Sequence, residues 1–404
     1  MELNMVSGFV YAIATMDTKG VELNYVADCL RAAGVQVKVV DVGTGGLPTV
    51  RPDVTSNEVR GSTPKASYES RGSAVTAMGE SLKSYLLDEA DAGQVAGVIG
   101  IGGSGGTALI TPAMRSLAIG VPKVMVSTVA SGNTAAYVDC SDITMMYSVV
   151  DVAGLNVVSR KVLGNAAHAM AGMVQHSVNA VAGKTTLGMT MFGVTTPCVE
   201  IVREQLEKTG HQCLVFHATG TGGRAMEQLV ESRMLNGVLD ITTTEVADEV
   251  VGGVFPAGRQ RFKKLVESGV PAILSLGALD MVNFGARGTV PAQFSDRLFH
   301  VHNAHVTLMR TNAEENRLIA RWIATRIRNT VSPMFVMIPE LGLSALDAPG
   351  QPFHDPDTNA ILFRELEEQL KGCDACQIVR VRQHINDREF AHSVVRHYNI
   401  LASR

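Results

Sequence analysis

Aromatic residues are scarce in this chain, and so are long apolar runs and clusters of basic residues. Only 5% of the 404 residues are aromatic, with one tryptophan, so the cores must be built from aliphatic side chains and methionine. No uninterrupted apolar stretch reaches the roughly 18 residues of a membrane-spanning helix. Lys and Arg total 35 against 39 Asp and Glu, without a basic block, which disfavours nucleic acid as a partner. Glu2 stands where a secretory signal needs basic residues, and we expect a soluble cytoplasmic protein.

The six cysteines are dispersed, which indicates reduced thiols and not a disulfide framework. Cys373 and Cys376 form the single C-x-x-C pair of the sequence. No second pair completes a zinc site. The favoured interpretation is therefore that Cys373 and Cys376 are two incidental thiols near a turn.

Short β-branched runs alternate with amphipathic stretches, a pattern typical of parallel sheets with right-handed crossovers. The chain is too long for one ordinary core, and the pattern restarts about half-way along it. The tetrapeptide Gly-Thr-Gly-Gly follows the second predicted strand of both halves, at 43–46 and 220–223. The sequence therefore predicts an α/β protein of two Rossmann-like subdomains with mainly parallel sheets, 1–182 and 183–404, facing each other across a cleft.

The predicted elements follow the same alternation in both halves. In the first half the predicted strands cover residues 10–15, 35–42, 95–101, 123–127 and 143–150, and the predicted helices cover 20–33, 73–91, 107–118 and 155–181. In the second half the predicted strands cover residues 186–192, 213–217, 237–242, 272–276, 333–338 and 377–382. Residues 48–72 are rich in hydroxyls, proline and glycine, and they predict a polar loop.

A glycine-rich segment, VIGIGGSGGT, lies between the third predicted strand and the next helix, with five glycines in residues 100–106. Glycines let backbone N–H groups approach an anion, and the helix N-terminus adds its dipole. The dinucleotide form of the motif fits poorly, because it belongs after a first strand and needs an acidic residue about 20 residues later. The motif alone leaves two interpretations open, a phosphate-binding loop and a tight turn that serves only packing.

Polar residues after the neighbouring predicted strands favour phosphate or nucleotide binding. In a doubly wound sheet these loops meet the glycine-rich segment at one edge. Asp17 is suited to hold Mg²⁺ directly or through water, Lys19 to neutralise phosphate and Asp41 to bond a ribose, although each alone is also typical of a solvated loop or a cap. The candidate nucleotide-binding residues are Asp17, Thr18, Lys19, Asp41, Gly102, Gly103, Ser104, Gly105, Gly106, Thr107, Ser127, Thr128, Ser131 and Gly132, with Asp17 as the metal ligand.

The second half carries the more reactive groups, again at the ends of predicted strands. Its candidate catalytic residues are His217, Arg224, Glu245 and Asp248. Glu245 or Asp248 would act as the base, and Arg224 would anchor a carboxylate or phosphate. The alternative is that Thr242 or Thr244 caps a helix with the acidic residue that follows it.

A group of histidines near residue 300 is a weaker candidate for a transition-metal site. Two of the three histidines His300, His302 and His305 would be joined by Asp355 or Asp357. No single helix or strand brings all three histidines together. A polar interface or a substrate contact is the favoured interpretation.

Seven segments resemble the Tm-one-like ATP-binding proteins, a family that includes a tomato mosaic virus resistance protein and uncharacterised bacterial proteins. The segments are GVIGIGGSGGT, KVMVSTVASGNT, MFGVTTPCVE, VFHATGTGGRAMEQL, LDITTTEVADEVVGG, SLGALDMVNFG and LSALDAPGQPFHDP. The resemblance implies ATP with Mg²⁺ bound in the N-terminal subdomain, and a homodimer. In the plant member it further implies binding to a viral replication protein, which depends on surfaces outside these segments.

The residues and the resemblance together predict an ATP- and Mg²⁺-binding protein, an ATP-dependent enzyme acting on a small metabolite. The alternative is a nucleotide-sensing binding or regulatory module without turnover. A dinucleotide-dependent oxidoreductase is disfavoured, because the strand after the glycine-rich segment ends in Ser127 and Thr128 instead of an acidic residue.

Overall fold

The computed structural model describes residues 8–61, 71–176 and 183–403 of the chain. The chain divides into two compact units, Met1–Val181 and Ala182–Arg404, here called the N-terminal unit and the C-terminal unit. Across the described ranges no helix combines the length and the apolar character needed to cross a membrane.

The N-terminal unit is a five-stranded parallel sheet with helices on both faces. Its strands are β1 (Phe9–Ala14), β2 (Val37–Asp41), β3 (Val95–Gly102), β4 (Lys123–Ser127) and β5 (Thr144–Tyr147), in the order β2-β1-β3-β4-β5. Its helices are α1 (Met16–Ala32), α2 (Ser56–Arg60), α3 (Arg71–Asp91), α4 (Ser104–Ser116), α5 (Ala135–Val138) and α6 (Val157–Gln175). One aliphatic core lies under α1 and α6 and another under α3 and α4. Burial on both faces explains why β1 and β3 read as continuous apolar runs.

The C-terminal unit combines a six-stranded parallel sheet with a small antiparallel one. Its strands are β6 (Thr186–Met191), β7 (Gln212–His217), β8 (Gly237–Thr242), β9 (Ala272–Gly277), β10 (Met281–Phe284), β11 (Phe299–Asn303), β12 (Val306–Arg310), β13 (Met334–Pro339) and β14 (Cys376–Val381). The parallel sheet has the order β14-β13-β9-β8-β6-β7 and the antiparallel sheet the order β10-β12-β11. The helices are α7 (Thr196–Lys208), α8 (Gly222–Glu231), α9 (Thr244–Val251), α10 (Lys263–Glu267), α11 (Ala313–Ile327), α12 (Pro356–Gln369) and α13 (Arg388–Ala402).

Both parallel sheets share one strand order. Numbered from the first strand of each unit, the order is 2-1-3-4-5, and the C-terminal unit adds a sixth strand. Gly34 and Gly210 follow α1 and α7 with φ of +81° and +93°, the left-handed conformation that favours glycine after a helix. The predicted α/β class with mainly parallel sheets is confirmed, whereas the antiparallel sheet was not predicted.

Two predicted loops are in fact the first turns of helices. α1 begins at Met16 and not at Gly20, so Asp17, Thr18 and Lys19 lie in its first turn. α4 begins at Ser104 and not at Thr107. Glycine in a helix costs about 1 kcal/mol relative to alanine, and tertiary contacts routinely outweigh such a cost.

The predicted polar loop 48–72 contains the short helix α2. A capping box opens it, because the Thr55 hydroxyl accepts the N–H of Glu58 and the Glu58 carboxylate accepts the N–H of Thr55. Residues 62–70 lie outside the described residues. So do residues 177–182, where the helix predicted over 155–181 was expected to end.

Candidate functional site

The N-terminal unit has its topological switch point between β1 and β3. These two strands are neighbours in the sheet, and the helices that follow them, α1 and α4, pack on opposite faces. In open α/β sheets a crevice forms at such a point, beyond the carboxyl ends of the strands, and ligands bind there. The residues that follow β1 and β3 therefore meet at the edge where a ligand is expected.

The N-terminus of α4 is open to an anion. Its N-cap residue, Gly103, has no side chain to accept from the first-turn N–H groups, and helix geometry leaves those donors without an intrahelical acceptor. Ser104 and Gly105 are exposed. A Cβ built on Gly105 meets no atom of the described residues within 4 Å, and one on Gly103 meets the Thr128 hydroxyl at 3.6 Å. Backbone donors and the helix dipole together give this turn the features of a phosphate cradle.

The glycines of the motif differ in what they pack against. A Cβ on Gly100 would lie 2.7 Å from Met125 Sδ, and one on Gly102 would lie 3.0 Å from Gly106 Cα. Glycine at these two positions is required by close packing at the strand-to-helix turn. The tight-turn interpretation therefore accounts for Gly100 and Gly102, but it gives no packing reason for glycine at position 105.

The N-terminus of α1 is occupied by a carboxylate of the protein itself, that of Asp41. Asp41 Oδ1 accepts the N–H of Met16 at 3.0 Å and that of Gly43 at 2.8 Å. Asp17 Oδ2 accepts the N–H of Gly45 at 3.3 Å, while Asp17 Oδ1 is buried and has no hydrogen-bond partner among the described residues. A buried carboxylate oxygen without a donor suits a divalent cation. The first turn of α1 thus offers a cation ligand at the same sheet edge as the anion donors of α4.

Two hydroxyls predicted to contact a nucleotide stabilise the turn instead. Thr107 and Ser127 are fully buried, and their side-chain oxygens lie 2.6 Å apart. The Thr107 hydroxyl also lies 2.8 Å from the carbonyl oxygen of Gly103. These bonds tie the first turn of α4 to the end of β4, so neither hydroxyl is available to a ligand. Thr128, beside Gly103, stays half-buried at the turn.

The remaining predicted nucleotide residues lie in segments that follow β1 and β4. Thr18 is exposed, with its hydroxyl 3.2 Å from that of Thr15. Lys19 is half-buried in the first turn of α1. Ser131 and Gly132 are exposed on the turn that follows β4.

A pocket of about 570 Å³ lies at the end of β2. It is lined by Asp41, residues 43–48, residues 55–57 and Arg60. Its volume falls in the range of about 300–1,000 Å³ typical of small-molecule sites. Sequence reasoning missed it because residues 48–72 were interpreted as a loop. The capping-box pattern at Thr55 was the signal for the short helix that brings Arg60 to the pocket.

The equivalent edge of the C-terminal unit is filled by the chain itself. α9 follows β8 as α4 follows β3, but Thr243, Thr244 and Glu245 are fully buried. The N–H of Thr243 bonds the carbonyl of Gly277 at 3.0 Å, and the Thr244 hydroxyl accepts from Asn283 Nδ2 at 3.2 Å. The N-cap residue Thr243 makes no side-chain capping bond, so the predicted threonine cap is not formed. The N-terminus of α9 is covered, unlike that of α4.

Glu245, predicted as a catalytic base, belongs to a buried ion cluster around Arg261. The guanidinium bonds the carboxylates of Glu245 at 2.7 Å, Glu227 at 2.6 Å and Asp240 at 2.5 Å. Burial alone would lower the pKa of Arg261, but the three carboxylates raise it. Burial raises the pKa of Glu227. Glu245 is therefore an ion-pair partner without solvent access, which corrects its assignment as a base. Arg261 was missed because its sequence context, a short basic run, is typical of a solvated surface.

Asp248, the other predicted base, is fully buried as well. Its Oδ1 accepts the N–H of Asn283 at 2.7 Å and its Oδ2 the N–H of Phe255 at 2.8 Å. Burial raises the pKa of Asp248 to about 7, against these donors, which lower it. The carboxyl fixes the chain after α9, and its assignment as a base is also corrected.

Arg224 and His217 are the predicted catalytic residues that keep access to solvent. His217 is exposed at the end of β7, and Arg224 is half-buried in α8, with its Nε donating to the carbonyl of Gly220 at 2.9 Å. Because both predicted bases are buried, the structure does not assemble the four residues into an accessible acid–base set.

The predicted metal site near residue 300 is not formed. His300 and His302 lie on β11, and Asp355 caps α12 by accepting the N–H of Thr358 at 3.0 Å. Within residues 8–61, 71–176 and 183–403, no group of three or more His, Cys, Asp or Glu side chains is arranged to hold a metal ion. Asp357 lies in the first turn of α12.

Comparison with known proteins assigns both units to one family. Residues 8–179 match the N-terminal domain of the uncharacterised protein family UPF0261, and residues 184–402 match its C-terminal domain. The chain belongs to this family. A UPF0261 protein of Rhizobium meliloti is 50% identical over 399 residues, which cover 98% of this chain and 99% of that protein. A UPF0261 protein of Clostridium tetani is 44% identical over 388 residues, which cover 95% and 96%.

The family extends to tomato, and the resemblance to Tm-one-like proteins is confirmed. The ToMV resistance protein Tm-1 of Solanum lycopersicum is 46% identical over 414 residues, which cover 96% of this chain and 55% of that protein. The ToMV susceptible protein tm-1 of the same species matches with the same identity and coverage. Because the resistance and susceptible proteins match equally well, the similarity assigns no antiviral role to this chain.

Proposed function

We propose that the N-terminal unit binds ATP with Mg²⁺ at the β1/β3 switch point, and that the protein is an ATP-dependent enzyme acting on a small metabolite in the cytoplasm, as a homodimer. The observation that supports this most strongly is the uncapped N-terminus of α4 at the same sheet edge as an unpartnered oxygen of Asp17. Anion donors at the same edge as a cation ligand suit a magnesium–nucleotide complex.

Different parts of the site would hold the phosphates of ATP and the Mg²⁺ ion. The N–H groups of Ser104 and Gly105 would hold phosphate oxygens. Asp17 Oδ1 would hold Mg²⁺, whose other ligands would be phosphate oxygens and water, because Mg²⁺ usually takes one or two protein carboxylates. Lys19 would add positive charge, and Asp41 would accept a ribose hydroxyl. Bound Mg²⁺ would neutralise charge that develops on the phosphates during transfer.

Titration and turnover of the full chain test this function. Calorimetry should show saturable ATP binding that strengthens with Mg²⁺. Incubation with ATP, Mg²⁺ and a metabolite library should release ADP or AMP and change at least one metabolite. ATP binding without turnover would favour a nucleotide-sensing module, and an absence of ATP binding would refute the proposal.

Asp17→Asn is expected to reduce the gain in ATP affinity that Mg²⁺ provides by at least tenfold, or about 1.4 kcal/mol. The amide keeps the size of the side chain but removes the negative charge that a hard cation requires. Calorimetric ATP affinities with Mg²⁺ and with EDTA measure the effect. Asp28→Asn, an exposed carboxylate of the same helix, is the matched control and should behave like the wild type. An unchanged Mg²⁺ gain in Asp17→Asn would contradict the assignment.

A further inference from the structure

Residues 43–46 contact the first turn of α1 and also line the pocket at the end of β2. The N–H of Gly45 bonds Asp17, and Gly45 is itself one of the lining residues. Of the residues given a role in nucleotide binding, Asp41 is the one in the pocket lining. The N-terminal unit therefore contains a space of ligand size whose lining includes no residue of the first turn of α4.

Arg60 contributes a cation that its neighbours bond only weakly. Its Nη1 donates to Asn57 Oδ1 and its Nη2 to the carbonyl of Gly43, both at 3.4 Å, which is longer than the usual 2.7–3.2 Å. Its Nε is buried and has no partner among the described residues. The carboxylate of Glu58, the acidic residue of the same helix, accepts hydrogen bonds from the N–H and the hydroxyl of Thr55. A buried donor without an acceptor is unfavourable, and an oxyanion would satisfy the guanidinium through paired bonds.

Asp41 contributes the opposite chemistry to the same pocket. It is 2% exposed, and within the described part of the chain both hydrogen bonds that its carboxylate accepts go to Oδ1. Oδ2 remains as an acceptor. Its two lone pairs can serve both the ribose hydroxyl of the proposed function and a hydroxyl of a ligand in the pocket. The pocket thus combines donors for an oxyanion with an acceptor for a hydroxyl.

We propose that this pocket binds a small hydroxylated organic anion, with its carboxylate or phosphate on Arg60 and a hydroxyl on Asp41. Such an anion is the metabolite of the proposed function, and in that respect the inference rests on that function. Binding of the anion itself requires only the pocket. A neutral metabolite could accept a hydrogen bond from Arg60 but would not pair with its positive charge, so an anion fits better.

Binding of three probes to the full chain tests the proposal. Glycerol 3-phosphate and D-glycerate carry a phosphate and a carboxylate beside hydroxyl groups, and glycerol is the neutral control. Calorimetry should show saturable binding of at least one of the two anions and none of glycerol. The anion that binds identifies phosphate or carboxylate as the recognised group. Failure of both anions to bind overturns the proposal.

Arg60→Gln should weaken binding of that anion at least tenfold. Arg51→Gln removes the same charge from an exposed arginine that lies in the sequence between the lining residues 43–48 and 55–57, and this variant should bind the anion as the wild type does. Equal binding by Arg60→Gln and the wild type would place the anion elsewhere and overturn the proposal.

Chemical protection gives a second test on the wild-type protein, which does not depend on the folding of a variant. Phenylglyoxal modifies accessible arginines, and peptide mass spectrometry reports the extent at each site. The binding anion should slow modification of Arg60 at least fivefold and leave that of Arg51 unchanged. Equal rates at Arg60 with and without the anion would overturn the proposal.

ATP affinity of the same preparation separates this inference from the proposed function. Anion binding without ATP binding would support the pocket and refute the nucleotide site. ATP binding without anion binding would refute the pocket and leave the nucleotide site standing.

Discussion

Gly105→Asp is expected to lower ATP affinity at least a hundredfold while the protein stays folded. A Cβ at this position meets no atom of the described residues within 4 Å, and a carboxylate in the first turn of a helix is favourable by about 0.3–1 kcal/mol. The same carboxylate would stand where the phosphates of ATP are proposed to bind. Two like charges about 4 Å apart repel by about 4 kcal/mol at an effective dielectric constant of 20. This exceeds the roughly 2.7 kcal/mol of a hundredfold loss.

A pair of alanine variants shows whether a loss of ATP affinity comes from the binding site or from replacing a helical glycine. Gly105 in α4 and Gly172 in α6 are both helical glycines whose added Cβ meets no described atom within 4 Å. Each change to alanine should stabilise its helix by up to about 1 kcal/mol. Calorimetry should show weaker ATP binding for Gly105→Ala and unchanged binding for Gly172→Ala. Wild-type ATP affinity in Gly105→Asp would show that the phosphates bind elsewhere.

Arg261→Met is expected to destabilise the protein by about 3–5 kcal/mol, because it leaves three buried carboxylates without their cation. Arg261 and its partners Glu245 and Asp240 have no side-chain exposure, and Glu227 has 4%. Methionine fills a similar volume, so the expected loss is mainly electrostatic. Urea unfolding of the full chain measures it.

The destabilisation of Arg261→Met should be larger at pH 8 than at pH 5. Desolvation raises the pKa of a buried carboxyl, as it already does for Glu227. A group whose pKa is raised in the folded state contributes stability below its unfolded pKa and loses that contribution as the pH rises through its folded pKa. Without the guanidinium, protonation at low pH therefore relieves the buried charge. A loss that is the same at both pH values would contradict this account.

Arg203→Met is the matched control for the Arg261 variant. Arg203 lies 3.9 Å from Glu207 on α7, and both side chains are about half exposed. A surface pair of this kind contributes about 0–1 kcal/mol. Its removal should shift the urea midpoint little, and a loss as large as that of Arg261→Met would show that burial is not the cause.

The sequence predicted the helices and strands whose positions are decided by the local pattern of apolar residues and glycines. The apolar run before the glycine-rich segment is β3, and Gly34 and Gly210 mark the ends of α1 and α7. The early starts of α1 and α4 could not be predicted, because long-range hydrogen bonds hold those turns. The N–H of Met16 donates to Asp41, and the hydroxyls of Thr107 and Ser127 bond each other. β11 carries exposed polar residues, so it lacks the apolar signal of a strand.

The candidate site was predictable only in part, for a similar physical reason. Asp17 and Gly105 follow strand ends, where topology alone brings residues to a shared edge. Glu245 also follows a strand end, yet it is buried against Arg261. An acidic residue in such a position looks the same in the sequence whether solvent or a distant guanidinium faces it. Arg60 was missed because its exposure and its partners depend on how residues 43–57 fold.

The most direct measurement is the crystal structure of the full chain with Mg²⁺ and a non-hydrolysable ATP analogue. We predict phosphate oxygens within hydrogen-bond distance of the N–H groups of Ser104 and Gly105, and Mg²⁺ on Asp17 Oδ1. Phosphates bound at another place, with the first turn of α4 closed by protein atoms, would contradict the account.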